Sequence, residues 1–232
     1  MPKLDSSPPG RRSGGRKSPL LLGHRGASKY APENTLAAFD LALQHGCDGF
    51  EFDVRYTRDA RCVICHDALH KRRKIERRTF ADLKLPCADD VIRKYSPRAY
   101  LDIEVKVAGD ASAFLAALKD VPPDRFIISS FLPDVLLAVN DVSPGIPLGL
   151  ICENLRQLRR WESLPIRSVA LYKRLCAPSL IDELHNAAKQ VLVWTVNRER
   201  QMQEFADRGV DALISDDTRL LAQTFAREGT IA

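Results

Sequence analysis

Short apolar runs alternate with helix-period segments along most of the chain, and this alternation constrains the fold more than any other feature. The runs are 20–23 (LLLG), 49–54 (GFEFDV), 100–105 (YLDIEV), 126–129 (FIIS), 147–151 (PLGLI), 168–171 (SVAL), 191–196 (VLVWTV) and 211–214 (DALI). Strands this continuously apolar belong to parallel sheets covered by helices on their faces. The segments between them place apolar residues on one stripe at three-to-four spacing: Leu36, Phe39 and Leu43; Phe114 and Leu118; Ile181, Leu184 and Ala188; Met202, Phe205 and Ala206; Leu221 and Phe225. Eight such βα units are the number that closes a TIM barrel. A doubly wound open sheet competes, but no Gly-rich dinucleotide turn follows the first run. The expectation is an α/β TIM (β/α)8 barrel with a short insertion in the loop after strand two, within residues 61–99, where a further apolar run spans 62–65.

The composition fits one core of that size: 232 residues, 45% hydrophobic and 28% charged. Residues 1–19 are rich in Pro, Gly, Ser and Arg without apolar periodicity and read as a disordered basic tail, or as the product of a start codon placed too early. The barrel domain is expected over 20–232. No run is long and apolar enough for a membrane span, and Leu20 to Leu22 is too short for a signal-peptide core, so the expected location is cytoplasmic.

Lys plus Arg number 35 against 30 Asp plus Glu, a net charge of +5. The tail 1–19 carries +4 and the run 71–78 carries +5, which leaves the remainder at −4. A mildly acidic body with two local basic patches is not how a general nucleic-acid binder spreads its charge. The sequence Cys62-Val-Ile-Cys65-His66 spells a c-type haem attachment pattern, yet no export signal accompanies it and no second ligand pair follows for zinc. Three-residue spacing puts the two thiols on opposite faces of a strand, so they read as small reduced hydrophobes, like Cys47, Cys87, Cys152 and Cys176.

The chemistry-bearing residues sit at or just beyond strand ends, which in a barrel converge on one mouth. His24 and Arg25 end the first strand; Glu51 and Asp53 share a face of the second; His66 and Asp67 follow 62–65; Glu104 and Lys106 share a face at the end of the third; Trp194 and Asn197 close the seventh. Three carboxylates, Glu51, Asp53 and Glu104, offer hard oxygen ligands suited to Mg2+ or Ca2+. Arg25 and Lys106 can hold a phosphate, and two histidines can divide general acid and base near neutral pH. Together they describe hydrolysis of a phosphate ester. The bland reading pairs the carboxylates with Arg25 and Lys106 without a metal. Of the remaining residues, His45 reads as a helix C-terminal residue complementing the dipole, His70 and His185 as surface residues, and Trp161 as packing on the outside.

These motifs in order, His24-Arg25-Gly26, Pro32-Glu33-Asn34-Thr35, Glu51-Phe52-Asp53-Val54, His66-Asp67, Glu104-Val105-Lys106 and Trp194-Thr195-Val196-Asn197, resemble the glycerophosphodiester phosphodiesterases from about Leu20 to Leu221. The resemblance implies a TIM barrel that splits a glycerophosphodiester into glycerol 3-phosphate and an alcohol with a divalent cation. It implies His24 and His66 as the catalytic acid/base pair, Glu51, Asp53 and Glu104 as metal ligands, Arg25 and Lys106 as phosphate contacts, and Trp194 as an apolar wall beside the glycerol. Glu33 would support these groups, and Asn34 also reads as the N-cap of the first helix. Two other functions fit the same residues: a lysophospholipase D at a membrane surface, and a silent barrel that binds phosphorylated ligands, although a binder has no use for an acid/base pair.

The chain departs from the family after Leu69, where Leu-x-Arg-Thr-Thr and a Gly-rich turn are replaced by the glycine-free basic run Lys71 to Arg78. Such a run near the mouth would concentrate anionic diesters or make transient contact with an anionic membrane.

Overall fold

The computed structural model describes residues 18–226. The expected tail lies outside the described residues except for Ser18 and Pro19, as do 227–232. Strand β1 (Leu20–Gly23), helix α1 (Leu36–Gln44) and strand β2 (Gly49–Tyr56) open the fold. The loop after β2 carries β3 (Cys62–Ile64), a hairpin of β4 (Leu69–His70) and β5 (Arg73–Lys74), and the short helix α2 (Phe80–Leu83). Helix α3 (Ala88–Tyr95) leads into β6 (Tyr100–Val105), followed by α4 (Ser112–Leu118), β7 (Phe126–Ser130), α5 (Pro133–Val142), β8 (Leu148–Cys152) and α6 (Leu155–Leu158). Strands β9 (Ser168–Tyr172), β10 (Gln190–Trp194) and β11 (Ala212–Ser215) alternate with α7 (Pro178–Asn186), α8 (Glu199–Asp207) and α9 (Thr218–Phe225).

The eight strands β1, β2 and β6 to β11 pair parallel with their neighbours, and β1–β2 pairing closes the barrel. β3 adds antiparallel to the end of β2. The expected barrel is therefore present, with three adjustments. The seventh strand stops at Trp194 rather than Val196. Residues 61–99 are not all insertion, because α3 is the barrel's own helix between β2 and β6. Ala188 is off the apolar stripe: α7 ends at Asn186, and Ala188 is exposed in the left-handed region at φ 56°.

Alternation along each strand builds two layers. On β2, Phe50, Phe52 and Val54 face outward into the main core, where Phe39 of α1 stacks on Phe50 at 4.3 Å and Tyr95 of α3 meets Phe50 edge-on at 5.0 Å. The inward residues of the other strands, among them Leu22, Ile127, Ile151, Leu192 and Ile214, form an apolar interior. The inward positions of β2 and β6 are instead Glu51, Asp53, Asp102 and Glu104, all buried. One side of the barrel interior is thus acidic, and that asymmetry positions the site.

Candidate active site

β2 and β6 are neighbours in register, with Glu51 beside Asp102 and Asp53 beside Glu104. Ligand oxygens of Glu51, Asp53 and Glu104 all lie within 4.8 Å of one another. Glu51 Oε1 has no hydrogen-bond partner, and Asp53 Oδ1 has only the Lys106 ammonium at 3.2 Å. Burial, then the charges of Asp53 and Glu104, pushes the Glu51 carboxyl well above the usual carboxylate range. Burial likewise raises Glu104 to about 7 against the opposing Lys106. Asp53 resists its own burial: Lys106, a hydrogen bond from Asn34 and Arg25 hold its pKa below the ordinary value. Buried carboxylate oxygens short of hydrogen-bond partners, in this donor set, fit a hard divalent cation.

Lys106 Nζ contacts Glu104 Oε1 at 2.5 Å and lies 5.6 Å from the Phe131 ring centre. Arg25 sits in the left-handed region at φ 55°, donates its backbone N–H to Glu51 Oε2 at 2.8 Å and places Nε 3.3 Å from Asp53 Oδ2. Glu33 grips its Nη1 at 2.9 Å, the supporting role anticipated for it. Gly26 follows at φ 81°, where a Cβ would lie 2.6 Å from the Ala38 carbonyl carbon, so the turn that presents Arg25 requires glycine. Asn34 is not the N-cap: Thr35 is, accepting from Ala38 N through its hydroxyl at 3.2 Å. Asn34 is buried and donates Nδ2 to Asp53 Oδ2 at 2.7 Å, so it orients a carboxylate of the cluster.

His24 pairs its Nδ1 with Asp216 Oδ1 at 2.7 Å. Asp216 also accepts from Ser28 Oγ at 3.0 Å and Asn197 Nδ2 at 2.6 Å, while Asn197 Oδ1 accepts from Asp216 N and Ser215 Oγ. His66 pairs Nδ1 with Asp67 Oδ1 at 2.9 Å, and Arg55 Nε holds the His66 carbonyl at 2.8 Å. Both imidazoles line one cavity of about 180 Å3 with Arg25, Glu51, Glu104 and Lys106. Its opposite lining is apolar: Phe131, Ile151, Ala170, Trp194 and Ile214. Trp194 is fixed by donating Nε1 to Ala170 O at 3.1 Å and by an edge contact to Phe131 at 5.6 Å. A hollow of equal volume at the other end of the barrel, lined by Ser18, Tyr100, Asp124 and Arg167 among others, has no histidine and no carboxylate cluster.

Two members of the site were not singled out from sequence, Asp216 and Asp102. Asp102 lines the cavity, accepts from Ser129 Oγ at 2.6 Å and is raised to about 7 by burial. Its signal was two-residue spacing from Glu104, the same alternation that joined Glu51 to Asp53. Elsewhere, His45 caps α1 as its position implied; its ring meets Thr218 Oγ1 at 2.7 Å and the Tyr30 ring, and burial, then Arg219, lowers its pKa from the ordinary value. His185 is half-buried and pairs with Asp211 at 3.0 Å rather than lying free on the surface. Trp161 packs against the core from outside. Cys62 enters the main core and Cys65 the small cluster beneath the basic run, opposite sides as the spacing implied, and all six thiols are free.

Comparison with known proteins places this geometry among relatives. The family model described as "Glycerophosphoryl diester phosphodiesterase family" matches residues 24–96 and 81–220. A glycerophosphodiester phosphodiesterase of Caldanaerobacter subterraneus subsp. tengcongensis is 28% identical over 90% of this chain and 99% of its own length. Among solved structures, an Oleispira antarctica phosphodiesterase in complex with the product sn-glycerol-3-phosphate superposes with a TM-score of 0.81 and 26% identity, covering 89% of this chain and 96% of that one. The Thermotoga maritima glycerophosphodiester phosphodiesterase does so at 0.76 and 26%, covering 88% and 97%.

Proposed function

The chain belongs to the glycerophosphoryl diester phosphodiesterase family, and from that premise we propose how its own residues split a glycerophosphodiester into glycerol 3-phosphate and an alcohol. The observation that carries the reading is the pair of imidazoles, each with a carboxylate on Nδ1, lining one cavity with Glu51 and Glu104 of the buried carboxylate trio. A carboxylate on Nδ1 favours the tautomer with the proton on that nitrogen and leaves Nε2 for chemistry. Of His24 and His66, one accepts the proton of the attacking hydroxyl on its Nε2. The other delivers a proton from its Nε2 to the departing alkoxide.

Arg25 and Lys106 line the cavity and bind the phosphodiester, offsetting the negative charge that builds on its non-bridging oxygens. Glu51, Asp53 and Glu104 would hold a divalent cation, Mg2+ or Ca2+, which when bound supplies further positive charge beside the phosphate. The apolar lining at Trp194 and Phe131 accepts the carbon face of the glycerol and excludes water from it. The product named for the Oleispira antarctica relative supports glycerol 3-phosphate as the product here.

Incubating the protein with glycerophosphodiesters that differ in the alcohol, with and without EDTA, and measuring glycerol 3-phosphate tests the reading. Release that stops on chelation and returns with Mg2+ or Ca2+ is expected; absence of glycerol 3-phosphate from every diester would refute it.

A further inference from the structure

Seven large apolar side chains are exposed on the described residues, and four of them lie on one face. Leu36 (41%) is the first residue of α1, Leu132 (44%) and Leu155 (62%) follow β7 and β8, and Leu69 (52%) follows β3 in the loop after β2. All four therefore sit in segments that leave the C-terminal end of the barrel strands, the end at which the cavity opens. Of the others, Leu137 and Val142 lie on α5, and Tyr30 turns its ring to His45 at the C-terminal end of α1 and its hydroxyl to Asp217.

The same face carries the basic run. Leu69 to Lys74 form a two-residue hairpin whose turn residues, Lys71 and Arg72, occupy the left-handed region at φ 49° and 65°. The run begins five residues after His66. Ile75 anchors it, packed with Val63 and Leu83 in a small core of their own. Among the described residues Lys74 has a Glu76 partner at 3.6 Å, and Lys71, Arg72, Arg73 and Arg77 have no ion pair. The hairpin is therefore a rigidly based projection of uncompensated positive charge.

We propose that this face is a docking surface for an anionic lipid bilayer, which holds the mouth of the cavity against the membrane. Positive charge complements anionic headgroups, and exposed leucine side chains enter the interfacial region, the combination that marks interfacial proteins. A nucleic acid would meet the cations but leave the leucines facing its phosphates, so the apolar members favour lipid. A glycerophosphodiester is what remains when both acyl esters of a membrane phospholipid are hydrolysed, so the docked mouth faces the source of such molecules. The proposal goes beyond the catalytic reading and does not depend on it.

Sedimentation with vesicles tests it, without substrate. The probes are pure phosphatidylcholine vesicles and phosphatidylcholine vesicles with one-third phosphatidylglycerol. Two face variants are compared with wild type: Lys71→Asn, Arg72→Gly, Arg73→Ser and Arg77→Ser together, which respects the left-handed turn, and Leu69→Ser with Leu155→Ser. Val142→Ser on α5 is the control. Wild type should partition onto the anionic vesicles and not onto pure phosphatidylcholine, each face variant should lose at least about tenfold of that partitioning, as removing several surface-attracted charges or buried apolar groups requires, and the control should match wild type. Failure of wild type to bind anionic vesicles, wild-type binding by both face variants, or equal loss in the control would overturn the proposal. The kcat for a water-soluble diester should be unchanged in both face variants, because surface charge that concentrates an anion acts on kcat/KM and not on kcat, and this separates docking from catalysis.

Discussion

The 2.7 Å contact between His24 Nδ1 and Asp216 Oδ1 occupies one nitrogen of that imidazole and, in the proposed mechanism, leaves Nε2 for the substrate. Asp216 is in turn held by Ser28 and Asn197. Burial works against its ionised form, but the hydrogen bond and charge of His24, with the bonds from Asn197 and Ser28, bring it down to about 2. A carboxyl depressed in the folded state stabilises the fold fully above its unfolded value, and that stabilisation is lost as pH falls through the folded one. Asp216→Asn should therefore cost roughly 1–2 kcal/mol at neutral pH, after allowance for the partial exposure of the side chain, and the gap from wild type should close in acid between about pH 4 and 2. Urea titrations across that range measure it. In the same variant kcat should fall at least about tenfold, a share of the 10²–10⁴ that a general acid or base contributes, with KM little changed. A KM effect alone would make Asp216 a binding residue instead. Asp216 was hidden in the sequence because Asp217 follows it, and one of two adjacent carboxylates had to be the helix cap. The structure gives that task to Asp217, which accepts from Leu220 N. Asn34 was misread for a related reason: Asn and Thr both cap helices, and only the buried side of the turn separates them.

At the scale of elements, the eight barrel strands were legible from their short apolar runs, and in β2 and β6 alternation put Glu51, Asp53 and Glu104 on the inward side. Helix α3 was not, although Ala88, Val91, Ile92 and Tyr95 fall on one stripe and are buried. Its charged neighbours continue the composition of the basic run and masked the period. α5 was missed despite Val135, Leu136 and Val139 facing inward behind Pro133, and α6 is a single turn too short for periodicity to show. The seam of α1, β2 and α3 matters most to the site, since Phe50 precedes Glu51 on β2 and packs on the stacked Phe39 ring and the edge-on Tyr95 ring. Phe50→Ala should destabilise the fold by about 3–5 kcal/mol, as fully buried aromatic truncations do. Thermal unfolding should register the loss as a lower Tm. A change under about 1 kcal/mol would mean that the seam collapses to fill the gap and does not brace β2.

For the whole molecule, a barrel that is acidic on one inner side and apolar on the other places a charged and an apolar wall in one cavity. The parallel order of eight strands brings residues 24, 51, 66, 104, 106 and 194 to it from five segments of the chain. None of the described helices is long and apolar enough to cross a membrane. The proposed hydrolysis turns on two imidazoles acting as acid and base in that cavity. Its most direct test is kcat for wild type, His24→Ala and His66→Ala on a glycerophosphodiester with a poor leaving group, with far-ultraviolet circular dichroism showing that each variant is folded. Each variant should lose about 10²–10⁴-fold in kcat with its fold intact. A folded variant with near-wild-type kcat would contradict the assignment of that histidine and, with it, the mechanism.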